Sequence, residues 1–138
     1  NVALVNAING FTTGVITLDT LVLSNTTPAS FNLKQLGDLN GITKLDTIDA
    51  SGNSVKDTIN ISLKDLLQAN DSTGSFTFDI KGGGSSEDDT LVMSDFSGWT
   101  EAKGTYTGNN STEGNGTVTY TKGSQVITIN LTDMVFDI

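Results

Sequence analysis

The sequence predicts an all-β fold with one or two short helices. Three observations carry that prediction. Short apolar or alternating segments rich in Thr, Val, Ile and Phe recur along the chain, which is the pattern of half-buried strands. Clusters of Gly, Asn, Asp and Ser separate them at intervals of about ten residues, as turns require. Helical spacing is confined to two stretches.

Strands are expected at residues 2–5, 15–23, 45–49, 58–61, 76–80, 90–93, 105–107, 117–121, 126–130 and 135–137. Pro28, the single proline, marks a turn after the second of them. Residues 31–39 carry Leu33 and Leu36 at i, i+3, the spacing of one or two helical turns, with Gly37 placed to end them. The clearer helix covers residues 62–69. Ser62 stands as N-cap before Leu63, Leu66 and Leu67, and Asp65 takes the place of the capping-box acid.

Further on, residues 107–116 are rich in Asn, Ser and Gly and nearly free of apolar side chains. They read as an exposed loop or hairpin tip. Residues 118–121 and 126–129 flank Lys122-Gly123-Ser124-Gln125. This predicts an antiparallel C-terminal hairpin, with Gly123 supplying positive φ.

Composition bounds the chemistry. At 138 residues the chain reads as a single β-rich domain, with a subdivision near residue 40. It contains no Cys and no His, and its seven basic residues are all Lys. Disulfides, thiolate metal sites and imidazole acid–base chemistry are therefore excluded. Sixteen acids give a net charge of −9, which disfavours nucleic acid and anionic membrane as partners. No apolar run approaches the ~20 residues of a membrane-spanning helix. Asn1 is not an initiator methionine, and no basic segment precedes an apolar run, so no signal peptide is read.

The catalytic alternatives are weak. There is no G-x-S-x-G elbow, and no histidine for a triad. Gly82-Gly83-Gly84 is followed by acids rather than by a P-loop lysine. An Asp pair for glycoside hydrolysis remains a chance arrangement among many aspartates. The expectation is a non-enzyme.

Thirteen of the sixteen acids are Asp. Asp and Asn oxygens are the ligands a hard cation such as Ca2+ selects. Two groups are candidates. Asp46, Asp49 and Asn53, with Ser51 among them, run from a strand into a turn where several oxygens can converge. Glu87, Asp88, Asp89 and Asp95 form the densest acidic cluster, where a divalent cation would relieve mutual repulsion. Solvated carboxylates at a loop tip are the competing reading. Neither group has EF-hand spacing.

A resemblance gives these acids a context. Asp89-Thr90-Leu91 and Asp19-Thr20-Leu21 are similar to the D-x-U part of calcium-binding nonapeptide repeats, where U is a large apolar residue. Residues 18–24 and 89–94 echo one another in the same way; no clean repeat of 20–50 residues is evident. Leu39, Ile42, Leu45, Ile48-Asp49 and Gly52 are followed by Thr58-Ile59-Asn60-Ile61-Ser62-Leu63-Lys64-Asp65-Leu66-Leu67 and then by Gly98-Trp99-Thr100. In that order the segments resemble a module near the C-terminal end of type I-secreted RTX adhesins. The resemblance covers residues 39–99 and weakens beyond them. The lost repeat glycines, the insertion at residues 85–88 and the long loop at residues 107–116 depart from the pattern.

The resemblance implies a solenoid-like or β-roll-capping domain, with a β-sandwich as the alternative. It implies a secreted, cell-surface, calcium-stabilised structural module supporting attachment or biofilm. Its partners would be neighbouring domains of the same large protein, copies of itself, or a glycan or surface protein. Two alternatives stay open. One is a filament or surface-layer subunit whose terminal segments, residues 2–5 and 134–138, exchange strands. The other is a glycan- or peptide-binding module using Trp99, Tyr106 and Tyr120, three residues that more often pack into a core.

Overall fold

The computed structural model describes residues 20–23, 30–33, 46–52, 54–70, 74–83 and 88–138. Among these residues the fold is all-β, with one helix. β1 (Thr20–Val22), β3 (Thr47–Asp49) and β5 (Phe76–Lys81) alternate along the chain with β2 (Ser30–Asn32), β4 (Thr58–Ser62) and β6 (Thr90–Ser94). β3 lies parallel between β1 and β5. β4 lies parallel between β2 and β6. Two parallel ladders thus grow in alternation along the chain.

β7 (Thr100–Ala102), β8 (Gly114–Lys122) and β9 (Gln125–Phe136) close the arrangement. β9 belongs to both ladders. Residues 127–132 pair parallel with β5, while Val135 and Phe136 pair with Thr90 and Leu91 of β6. β8 runs antiparallel to β9, and β7 antiparallel to β8. The order across the sheet is β1-β3-β5-β9-β6-β4-β2, with β8 and β7 branching from β9.

Such a path needs a corner within β9. The pairing register of β8 and β9 shifts between Gly114 and Gly116, so Asn115 faces both Thr132 and Asp133. A bulge of this kind bends its strand. Asp133 takes φ 50° there. Asn115 fixes the corner: its Oδ1 accepts the Asp133 N–H at 3.2 Å, and its Nδ2 donates to Asp133 Oδ1 at 3.4 Å.

The core follows from strand alternation. Leu21, Ile48, Ile80 and Leu131 stand in register across β1, β3, β5 and β9. Phe31, Ile59, Leu91 and Phe136 do so across β2, β4, β6 and β9. All eight are buried, and each contributes about 1.5–3 kcal/mol of apolar burial. Polar groups line the outside. Asn130 Nδ2 donates to Asp79 Oδ1 at 2.8 Å, and Asn60 Nδ2 donates to Ser30 Oγ at 2.8 Å, each bond tying neighbouring strands of a ladder.

The expected helix is present as α1 (Leu63–Asn70). Ser62 caps it, its Oγ accepting the Asp65 N–H at 3.3 Å. Leu63 and Leu66 are buried and Leu67 is half-buried, whereas Lys64 and Gln68 face solvent. The hairpin is also present: Lys122 pairs with Gln125 around Gly123-Ser124. Gly123 has φ 61°, and only the first turn residue needs positive φ in a type II′ turn.

Three expectations are corrected. Residues 31–33 are not helical: Ser30–Asn32 is a strand, because the period-two pair Phe31 and Leu33 enters the core and outweighs the Leu33–Leu36 spacing. The strand expected at residues 105–107 lies instead at Thr100–Ala102. Gly104, at φ 59°, turns the chain, and Thr105–Thr107 follow β8 irregularly through the bonds Tyr106 N–H to Thr117 O and Thr107 N–H to Asn115 O. Residues 135–137 are no separate strand, since β9 runs unbroken to Phe136. The strand at residues 2–5, the first part of 15–23, and residues 34–39 lie outside the described residues.

Candidate functional site

Two carboxylates are withdrawn from solvent at one corner of the fold. Asp57 and Asp89 immediately precede β4 and β6, and the register Thr58 to Thr90 sets them side by side. Both are buried, and Asp89 has no exposed surface. Asp89 Oδ1 accepts the Asp57 N–H at 2.7 Å, and Oδ2 accepts the Gly83 N–H at 2.7 Å. The main chain continues the link. Thr90 N–H donates to Asp57 O at 2.9 Å, and Val135 N–H donates to Asp89 O at 2.8 Å. One residue therefore bonds to the chain just before β4, just after β5 and within β9.

Asp suits this position because its carboxylate is short and offers two acceptors. Amide N–H groups at a turn need partners once buried. Burial is the largest influence on Asp89 and pushes its carboxyl above the ordinary range; the two amides oppose that, while the charges of Asp57 and Asp88 add to it. With both oxygens taken by amide donors, the group acts chemically as an anchor for backbone.

A second acid has one oxygen withdrawn from solvent. Glu113 precedes β8, and its Oε2 is buried with no hydrogen-bond partner. Its carboxyl is raised, first by burial and then by the charges of Asp133, Asp88 and Asp89.

The acids expected to hold calcium are dispersed. Asp46 Oδ1 accepts the Thr47 hydroxyl at 3.1 Å. Asp49 Oδ1 accepts the Ser51 N–H at 2.9 Å and the Ser51 hydroxyl at 2.5 Å. Asp46 and Asp49 are an odd number of residues apart in extended chain, which turns them to opposite faces. Asp88 is exposed beside buried Asp89, and Asp95 is exposed beyond the other end of β6 at φ 55°. Asn53 and Glu87 lie outside the described residues. Among the described residues no group of three or more acids converges as a cation cage. Asp89 and Asp49 each accept hydrogen bonds from the chain's own donors.

The aromatic residues are likewise divided. Tyr106 and Tyr120 are buried, and Trp99 is half-buried. The Tyr106 hydroxyl donates to Met134 O at 2.7 Å, with its ring edge-on to Phe136 at 6.1 Å. The Tyr120 hydroxyl donates to Glu101 Oε2, and its ring packs on Phe96 at 5.4 Å. Lys122 Nζ lies 5.9 Å from the Trp99 ring centre. These three side chains form no common exposed platform.

Sequence reasoning missed Asp57 and Glu113. A signal for Asp57 was present. Asp57-Thr58-Ile59-Asn60-Ile61-Ser62 and Asp89-Thr90-Leu91-Val92-Met93-Ser94 share the pattern D-T-apolar-x-apolar-S, and they pair residue for residue from Thr58 onward. Their offset of 32 residues recurs in the other ladder, where Thr47 pairs with Asp79. Of the echo read between residues 18–24 and 89–94, the described part lies in two different ladders: Thr20 pairs with Thr47, and Thr90 with Thr58. No signal for Glu113 is evident, because its burial depends on the folded loop. The chain matches no known protein family, curated protein or solved structure.

Proposed function

We propose that this chain is a structural, non-catalytic module of a secreted RTX-type adhesin, a solenoid-like domain that ends a β-roll and supports surface attachment or biofilm. The observation that carries this reading is the register: β3 and β5 in one ladder, and β4 and β6 in the other, repeat at 32 residues, with Asp89 bonded back to Asp57. Parallel ladders with inward apolar columns suit a stacked roll, whereas face-to-face sandwiches are built mainly from antiparallel sheets. β7 and β8 run antiparallel beyond the parallel strands, and terminal repeats need such a cap. A cysteine-free, acid-rich chain suits export followed by folding outside the cell. Its partners on this reading are neighbouring domains of the same protein or copies of it.

Calcium stabilisation belongs to the reading through composition and resemblance, not through the described carboxylates. The two parts are separable by experiment. The purified chain should unfold reversibly, retain no glycan on an array and turn over no glycoside substrate. Retention of a glycan that is lost on Trp99→Ala would replace the structural reading with a ligand-binding one. Hydrolysis would replace it with an enzyme.

A further inference from the structure

The acceptor pattern for an N-linked sugar, Asn-x-Ser/Thr with any residue but Pro between, recurs seven times in the chain. Folding sorts the five whose side chains are described. Asn60 and Asn130 are half-buried on ladder strands. The Asn60 amide nitrogen donates to Ser30 Oγ and Phe31 O, and that of Asn130 donates to Asp79 Oδ1. Asn115 is bound to Asp133 through both ends of its side-chain amide at the β9 corner. A nitrogen that ties two strands together cannot enter an enzyme's site without opening the sheet.

Asn109 differs. It lies in the loop before β8, and Asn109, Asn110, Ser111 and Thr112 are all exposed. Its Oδ1 accepts the Ser111 N–H at 2.8 Å and the Ser111 hydroxyl at 3.0 Å. Its Nδ2 donates no hydrogen bond among the described residues. The hydroxyl that the pattern demands two residues on therefore already touches the acceptor amide. Two donors on Oδ1 draw the amide electrons toward oxygen and make an Nδ2 proton easier to lose. The main chain is held as well: the Asn109 N–H donates to Thr112 O at 3.0 Å, and Asn109 O accepts the Phe136 N–H at 3.2 Å. The overlapping pattern Asn110-Ser111-Thr112 lacks this contact, since no bond among the described residues joins the Thr112 hydroxyl to Asn110.

We propose that Asn109 is a modification site, at which the folded chain accepts an N-linked sugar. The donor is a sugar activated as its nucleotide diphosphate and held by a glycosyltransferase. Asn109 Nδ2 attacks the anomeric carbon. The new carbon–nitrogen bond forms as the bond from that carbon to the diphosphate oxygen breaks. The nucleotide diphosphate leaves, and the Nδ2 proton passes to a base of the transferase. A sugar at this position stands on the loop, outside both ladders, and displaces no packed side chain. The inference rests on the Asn109–Ser111 geometry and stands apart from the adhesin reading.

The test incubates the folded chain with UDP-glucose and a soluble N-glycosyltransferase that recognises Asn-x-Ser/Thr. Intact-mass spectrometry follows the gain of hexose, and peptide mapping locates it. A hexose should appear on Asn109, with Asn60 and Asn130 left bare. Ser111→Ala destroys the pattern at Asn109 and keeps the one at Asn110. This exposed change should leave the melting temperature as it was and cut transfer at least tenfold, and Ser111→Thr should restore transfer. A folded chain that gains no hexose overturns the proposal. So does a hexose on Asn110 in place of Asn109, transfer to Asn60 or Asn130 at a comparable rate, or transfer indifferent to Ser111→Ala.

Discussion

The carboxylate of Asp89 reaches the backbone amide of Asp57, 32 residues earlier, at 2.7 Å, and with its other oxygen takes the amide of Gly83. The side chain has no exposed surface. A bond between neighbouring strands of a parallel ladder is long-range in sequence, so no local preference supplies it. Parallel strands cannot be joined by tight hairpins. Asp89 ties the entries of the paired strands β4 and β6 together.

Gly82 sits at the corresponding corner of the other ladder. Its N–H donates to Thr132 O at 2.8 Å, and a Cβ on it would overlap the carbonyl of Asp133 and the sulfur of Met134. Gly82→Ala should therefore push β5 away from the β9 bulge and cost about 1–3 kcal/mol. Urea unfolding should show a lower midpoint with an unchanged slope. An unchanged midpoint would mean that the corner has room to spare.

Glu113→Gln should stabilise the protein at neutral pH. Burial and the nearby charges of Asp133, Asp88 and Asp89 raise the folded-state carboxyl. The folded chain then holds that proton at pH values where the unfolded chain has released it, so stability from this group falls as pH rises from the ordinary carboxylate range through the raised value. Asp89, raised in the same direction, contributes a slope of the same sign. Removing the Glu113 charge should raise the melting temperature at pH 7 and shrink its fall as the pH rises from 4 to 7. Melting curves of both proteins across that range decide it; a lower melting temperature for the variant at pH 7 would contradict this account of Glu113.

Tyr106→Phe removes the buried donor to Met134 O and leaves the ring in place against Phe136. An orphaned buried carbonyl costs about 1–3 kcal/mol. Because Tyr106 stands between β7 and the loop that leads to β8, the loss should appear first as faster amide exchange in residues 105–113. Uniform exchange across the chain would show that this loop does not open separately from the rest.

Much of the fold was legible. Alternation placed β4, β5, β6, β8 and β9, Ser62 announced α1, and Gly123 announced the hairpin. The misreadings share one cause: local spacing was ambiguous where partners decide. Leu33 and Leu36 suggested helix, yet Phe31 pairs with Ile59 of β4 and Leu33 is buried with it. Val135 and Phe136 looked like a separate strand because the bulge at Asp133 interrupts the alternation without ending β9. The candidate site was half legible. Asp89 stood out as an acid among acids, but its role depends on Asp57 and Gly83, which only the register brings to it. The 32-residue echo is readable in D-T-apolar-x-apolar-S, but α1 and Gly82-Gly83 both fall within its single period and obscure it.

The central claim is that Asp89 holds backbone amides rather than a cation, and Asp89→Asn tests it most directly. The substituted amide keeps the size of the side chain but loses one acceptor, leaving either the Asp57 or the Gly83 amide unpaired, a cost of about 1–3 kcal/mol. Thermal unfolding of both proteins should be followed in EDTA and again with calcium restored, with magnesium as control. The account predicts that Asp89→Asn melts about 4–10 °C lower by the same margin in every buffer. A wild-type protein whose melting temperature rises with calcium, beside a variant whose melting temperature does not, would contradict it and make Asp89 a metal ligand.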